Sequence, residues 1–124
     1  MATRKSPLWV PERAEIIFIQ YSPQVGEEMP DDHPMLVISA KAFADKTGIV
    51  VGFPMTHSER HAENPFAISA PGAKGEPGYL LVSQPKSFDW RECNARPHPW
   101  GTGNTKLLEK ALRRFDAVFN VCGH

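Results

Sequence analysis

Cysteine is nearly missing from this chain: Cys93 and Cys122 stand far apart, with no C-x-x-C spacing and no second pair. That argues against a zinc knuckle and a disulfide framework, and leaves two free thiols in a reducing compartment as the expectation. Net charge is missing too, since 14 Lys and Arg balance 14 Asp and Glu. A nucleic-acid partner usually meets a basic excess, so such a partner here has to be met by local patches. No apolar run approaches the roughly 18 residues that cross a bilayer. The opening Met-Ala-Thr-Arg-Lys-Ser-Pro carries no apolar stretch after its basic residues. The expectation is therefore a cytoplasmic protein with no membrane segment and no secretory signal. Internal repeats and low-complexity tracts are absent as well.

What is present suits one soluble domain with a real core: 124 residues, 41% of them hydrophobic and 23% charged. The 12 prolines favour short strands and turns over long helices. The expected organisation is a flexible arm over residues 1–13, pinned if anywhere by Trp9, a single domain over 14–121, and a tail over 122–124.

A first strand is expected at Glu15–Tyr21, which is β-branched and aromatic, and further strands at Met35–Ser39, Ile49–Met55, Pro65–Ser69 and Tyr79–Ser83. A helical turn over Lys41–Gly48 closes on its glycine, and Pro71–Gly78 is a turn. Arg91–Gly103, with its prolines and glycines, is expected to be an irregular connector. After Asn104, a good N-cap, Leu107, Leu108, Ala111, Leu112, Phe115, Val118 and Phe119 fall on one helical face. Five or so strands with one C-terminal helix predict a mainly β fold, a small curved barrel capped by that helix.

Two stretches join an apolar strand to a polar cluster. Met35–Ile38 follows a loop carrying Glu27, Glu28, Asp31, Asp32 and His33, and Ile49–Met55 leads into Thr56, His57 and Ser58. If these strands are antiparallel neighbours, the start of one meets the end of the other, and His33 and Thr56 share a pocket. A strand-end threonine, a capping histidine and a solvated acidic turn are the plain alternatives. His57-x-x-x-His61 has the spacing of two metal ligands on a helix, but Pro54 and Pro65 flank it and a strand precedes it, so no metal site is assigned. Lys86 and Arg91 beside Phe88 and Trp90 form either a stacking platform for bases or a core tryptophan with cations outside. His98, in the connector, has no partner suggested by the sequence.

The ordered set Ser22-Pro-x-x-Gly-x-Glu28, His33-Pro34 before an apolar strand, Phe43-x-x-x-Thr47-Gly48, Pro54-x-Thr56, Asn64-Pro-Phe66 and Ser83-Gln-Pro-Lys-Ser-x-Asp-Trp-Arg91 resembles the MazF/PemK toxins of bacterial toxin–antitoxin systems. The likeness runs from about Pro11 to Phe119. It implies an SH3-like (MazF/CcdB-like) barrel, a homodimer, and a metal-independent endoribonuclease that cuts single-stranded RNA at short motifs. It also implies a cognate antitoxin whose disordered acidic tail lies across the RNA groove. Position by position, Thr56 matches the family's catalytic threonine, Glu28 its loop glutamate, and Lys86, Trp90 and Arg91 its RNA-facing basic segment. His57, Ser58, Arg60 and Gln84 complete the expected RNA contacts.

Two departures stand out: His33 occupies the place of a catalytic arginine, and Ser83 the place of an aspartate found in some members. Metal-free RNA cleavage needs a base for the 2′-hydroxyl, charge compensation at the phosphoryl oxygens and an acid for the leaving 5′-oxygen. An imidazole with an ordinary pKa of about 6.5 can act as base or acid, and nearby carboxylates would favour its charged form. His33, Thr56 and Glu28 are the expected catalytic set, with Glu28 as the second proton-transfer group and no cofactor. The competing functions are a CcdB-like toxin that binds gyrase, and an RNA- or antitoxin-binding module that has lost catalysis.

Overall fold

Ile16, Phe18 and Gln20 alternate with Ile17 and Ile19 along β1 (Ile16–Gln20), and this two-residue period feeds two cores. Ile16 joins Leu36, Phe53, Met55, Leu80 and Leu108 on one side. Ile17 and Ile19 join Met35, Val37 and Val50 on the other. The sheet is thus covered on both faces, and its central strands read as nearly continuous apolar runs. The computed structural model describes residues 9–20, 32–71, 75, 77–99 and 104–120. Glu28 and the rest of the acidic loop up to Asp31, most of the arm, Trp100 and the tail lie outside the described residues.

The remaining elements are β2 (Asp32–Val37), α1 (Lys41–Thr47), β3 (Ile49–Thr56), a 3₁₀ turn (Glu59–His61), β4 (Ala67–Ser69), β5 (Tyr79–Leu81), β6 (Lys86–Asp89), β7 (Arg96–Pro97) and α2 (Thr105–Phe119). Every strand pair is antiparallel, in the order β4-β5-β3-β2-β1-β7, with β6 also on β3. The expected mainly β architecture with a C-terminal helix is what the chain forms. Among the described residues the path is open, its end strands β4 and β7 not bonded to each other.

The site depends on how β2 and β3 tolerate their prolines. Val37 N–H donates to Glu15 O, so β1–β2 hydrogen-bonded pairs fall at odd positions of β2 and the nitrogen of Pro34 points away from β1. It points past the last β2–β3 pair, Met35 with Pro54, where no ladder partner waits. Likewise Ile38 N–H donates to Val51 O, which turns the nitrogen of Pro54 toward the opposite edge of β3. There β5 and β6 lie end to end, and the steps from Leu80 to Lys86 face only Gly52 to Met55, so three residues loop out. Pro54 meets that break and needs no partner.

The elements differ from the sequence reading in several places. β2 starts at Asp32, not Met35, because Ile19 and Gln20 extend the ladder to His33 and Asp32. β6 and β7 were not expected; Lys-Ser-Phe-Asp carries no β-branched run, and a two-residue strand leaves no period to detect. Residues 9–11 of the expected arm are packed: Val10 and Pro11 are buried, and Trp9 donates its indole N–H to Glu15 at 3.0 Å, while Glu12 and Arg13 are exposed. The buried Glu15 carboxylate also accepts the Glu12 N–H, so both its oxygens are satisfied. Helix α2 packs through Leu108 and Ala111, with Phe115 at 5.6 Å from the Phe53 ring, and Arg114 ties it to Pro65 O at 2.7 Å.

Candidate active site

The β2–β3 register pairs Met35 with Pro54; continued two residues further, it sets His33 level with Thr56. Both line one open groove of about 890 Å³, a size in the range of small-ligand sites. The expected shared pocket is therefore present. His57, Ser58, Arg60, Gln84 and Lys86 line it too. Gln84 comes from the looped-out turn between β5 and β6 that Pro54 faces, closed by Gln84 N–H on Leu81 O. Pro34, Met55 and Leu81 supply apolar wall.

Thr56 is oriented by its own chain. Its Oγ1 accepts the Ser58 N–H at 3.2 Å, so the hydroxyl proton is what it offers to a ligand in the groove. His57 Nδ1 meets the carbonyl of Pro77 at 2.7 Å. A carbonyl only accepts, so the proton sits on Nδ1 and Nε2 is the acceptor of the neutral ring. His61, not singled out for RNA by the sequence, also lines the groove and is bonded to the Arg60 and Asn64 side chains.

Charge in the groove favours an anion. Arg60 and Lys86 are cations, and among the described lining residues Asp32 is the one carboxylate. Asp32 is held by Arg96 Nη2 at 2.5 Å and by Gln20 at 3.3 Å. The hydrogen bond from Arg96 draws the Asp32 carboxyl below its usual range, with the charges of Arg96 and His33 acting the same way and partial burial opposing them. The one described member of the acidic cluster before Met35 thus has its charge offset by a guanidinium on β7. Arg96 was missed because β7 was missed; its register partner is Phe18, over whose ring the guanidinium stands at 5.6 Å.

His98 follows β7 and enters the same groove, its ring 4.6 Å from that of Phe18. Burial pushes its pKa below the ordinary histidine value. A histidine between prolines gave no periodic signal by which to place it.

Trp90 and Arg91 lie elsewhere. Trp90 donates its indole N–H to Ala44 O at 2.8 Å, meets Trp9 edge to face at 5.8 Å and packs against the second core. Arg91 covers that ring, its guanidinium carbon 4.5 Å from the ring centroid and beside Gly48 at the C-terminal end of α1. Neither lines the groove. Trp90 is thus partly buried against this core. Burial also raises the thiol pKa of Cys93, helped by Asp89 and Glu92, which makes it a poor nucleophile.

Comparison with known proteins adds the following. Residues 12–119 match the family model described as PemK-like, MazF-like toxin of type II toxin–antitoxin system. The chain is 29% identical over 113 residues to the endoribonuclease toxin MazF of Escherichia coli strain K12, covering 91% of this chain and 94% of that protein. Among solved structures, MazF from Deinococcus radiodurans superposes with a TM-score of 0.73 at 24% identity, covering 91% of this chain and 99% of the other. A crystal form of the Deinococcus MazE–MazF complex gives 0.74 at 23% identity, with 90% and 98% covered. At that identity the structures establish the fold alone. No helix among the described residues is long and apolar enough to cross a membrane.

Proposed function

Since the chain belongs to the PemK-like, MazF-like toxins of type II toxin–antitoxin systems, we propose that it is a sequence-specific endoribonuclease that cuts single-stranded mRNA in the β2–β3 groove without a metal ion. The observation that carries this reading is the convergence of His33 and Thr56 on one groove whose fixed charges are Arg60, Lys86 and a carboxylate already engaged by Arg96.

The chemistry follows from what each group can do. Lys86 and Arg60 draw the RNA backbone into the groove, where an anion meets little opposing charge. Thr56, its oxygen held by Ser58 N–H, donates a hydrogen bond to a phosphoryl oxygen and so stabilises charge that grows there. His33, in the place that the family resemblance gives to an arginine, is a group that can bind a phosphate and also carry a proton. It offsets phosphoryl charge without an arginine's bidentate fork, and it can do what a guanidinium cannot, which is to give a proton to the departing 5′-oxygen. His57, Ser58 and Gln84 line the groove with donors and acceptors suited to base edges, and set the motif read in the RNA.

The same groove suits the antitoxin. A disordered acidic tail laid across Arg60 and Lys86 would neutralise the cations that RNA needs and exclude RNA by occupancy. The Deinococcus toxin relative is known in complex with MazE, and we assign this chain a cognate antitoxin of that kind and a homodimeric state.

The test is purified protein with a long single-stranded RNA in EDTA, beside His33→Ala and Thr56→Ala. Discrete cuts by the parent alone support the reading; gyrase inhibition with intact RNA would point to a binding toxin instead.

A further inference from the structure

Four imidazoles line the groove, those of His33, His57, His61 and His98. His33 and His98 approach from opposite sides of β1. His33 sits on β2 beside Ile19, and His98 follows β7, whose Arg96 pairs with Phe18. The backbone N–H of His98 donates to Ile16 O at 3.2 Å, and its ring lies 4.6 Å from the Phe18 ring at 36°. Main chain and ring are therefore both placed, and the imidazole borders the volume that His33 and Thr56 border.

We propose that His98 is the catalytic base of this groove, taking the 2′-hydroxyl proton of the RNA while His33 supplies the proton for the 5′-oxygen. The assignment rests on the reading of the groove as the RNA-cutting site and deepens it. In the step, the O2′–H bond breaks and its proton passes to a ring nitrogen of His98. The O2′–P bond forms as the P–O5′ bond breaks, and His33 protonates the 5′-oxygen. The products are a 2′,3′-cyclic phosphate and a 5′-hydroxyl, and solvent returns each imidazole to its starting state. Metal-free cleavage needs a base and an acid at the same pH, and two imidazoles in one groove can supply them.

The surroundings of His98 fit the neutral role. Phe18 covers one face from β1, and partial burial disfavours its charged form. The charged and titratable groups nearest by register are Asp32 and His33 on β2 and Arg96 on β7, with Asp32 and Arg96 paired to each other. No carboxylate other than Asp32 lines the groove among the described residues.

The experiment uses the intact protein and an oligonucleotide bearing one cleavage site mapped beforehand on long RNA. The site is made with its ordinary 5′-oxygen and, separately, with sulfur in place of that oxygen, since a thiolate departs without a proton. His98→Gln, and His98→Phe to keep the ring contact with Phe18, should each lose about 10²- to 10⁴-fold with both substrates. His33→Ala should lose as much with oxygen and recover most of it with sulfur. The acid limb of the parent's pH–rate profile, below the ordinary histidine value, should vanish in His98→Gln. A folded His98→Gln that cuts within fivefold of the parent, or regains its rate with sulfur, overturns the assignment. So does a Glu28→Gln variant that shows the loss expected of the base while His98→Gln does not. A parent that leaves all RNA whole in EDTA overturns the reading of the groove and this assignment with it.

Discussion

Gly52 lies in β3 between Val37 of β2 and Lys86 of β6, and it is where the two halves of the groove are seamed together. A Cβ at this position would stand 2.4 Å from Leu36 O and 2.9 Å from Met35 Cγ. The methionine can bend away, but Leu36 O is main chain and belongs to the pair with Phe53 that holds β2 to β3. Restoring ordinary contact at 3.4 Å requires a movement of about 1 Å at that seam. Overpacking of this kind costs about 1–3 kcal/mol, and one strained ladder bond adds about 1 kcal/mol. Gly52→Ala should therefore destabilise by about 3 kcal/mol, a large share of the roughly 5–15 kcal/mol of a typical domain. Thermal unfolding followed by circular dichroism should show a midpoint lowered by about 10 °C. Because the same seam holds His33 level with Thr56, RNA cleavage measured well below that midpoint should fall on the order of 10²-fold, as displacement of reacting groups by about 1 Å does. Gly75→Ala is the control: its φ of +81° is unfavourable for alanine, but nothing lies within 4 Å. It should cost only about 1 kcal/mol and leave cleavage alone. A Gly52→Ala protein within 1 kcal/mol of the parent and equally active would refute the reasoning.

Thr56→Val keeps the shape and removes the hydroxyl, so it should cost no more than about 1 kcal/mol for the lost Ser58 N–H partner but about 10²- to 10³-fold in cleavage rate; Thr56→Ser should restore most of the rate, and a valine variant at parental rate contradicts the role. Asp32 is drawn down in pKa chiefly by Arg96, so its contribution to stability is present above the unfolded carboxylate pKa of about 3.9 and lost as pH falls through the lower folded value. Asp32→Asn should flatten the acid side of the stability curve below about pH 4, modestly, because both side chains of the pair are more than a third exposed; an unchanged acid slope in urea titrations counts against it. Trp90→Phe removes the indole bond to Ala44 O and should cost about 1–2 kcal/mol with cleavage intact, whereas a stacking role would show as a raised KM.

The sequence shows the strands whose side chains face a core on both sides, because Ile16–Ile19 and Ile49–Val51 are β-branched or aromatic throughout. It also shows α2, whose apolar stripe repeats over 15 residues. It brings His33 and Thr56 together through nothing more than antiparallel order. What it hides is held by context. β7 exists because two residues happen to pair with β1, and through it come Arg96 and His98, which no local pattern marks. The tryptophan at position 90 reads equally as a base platform or as core until Trp9 and α1 are seen against it. The acidic cluster reads as a repulsive wall until Asp32 is seen paired to an arginine 64 positions away.

The most direct measurement is cleavage of a long single-stranded RNA in EDTA by the parent and by His33→Ala, with product ends analysed. The account predicts discrete cuts by the parent, each leaving a 2′,3′-cyclic phosphate and a 5′-hydroxyl, and a loss of about 10²-fold or more in the alanine variant. Equal cutting by parent and variant, or cutting that stops on chelation and returns with a divalent metal, would contradict it.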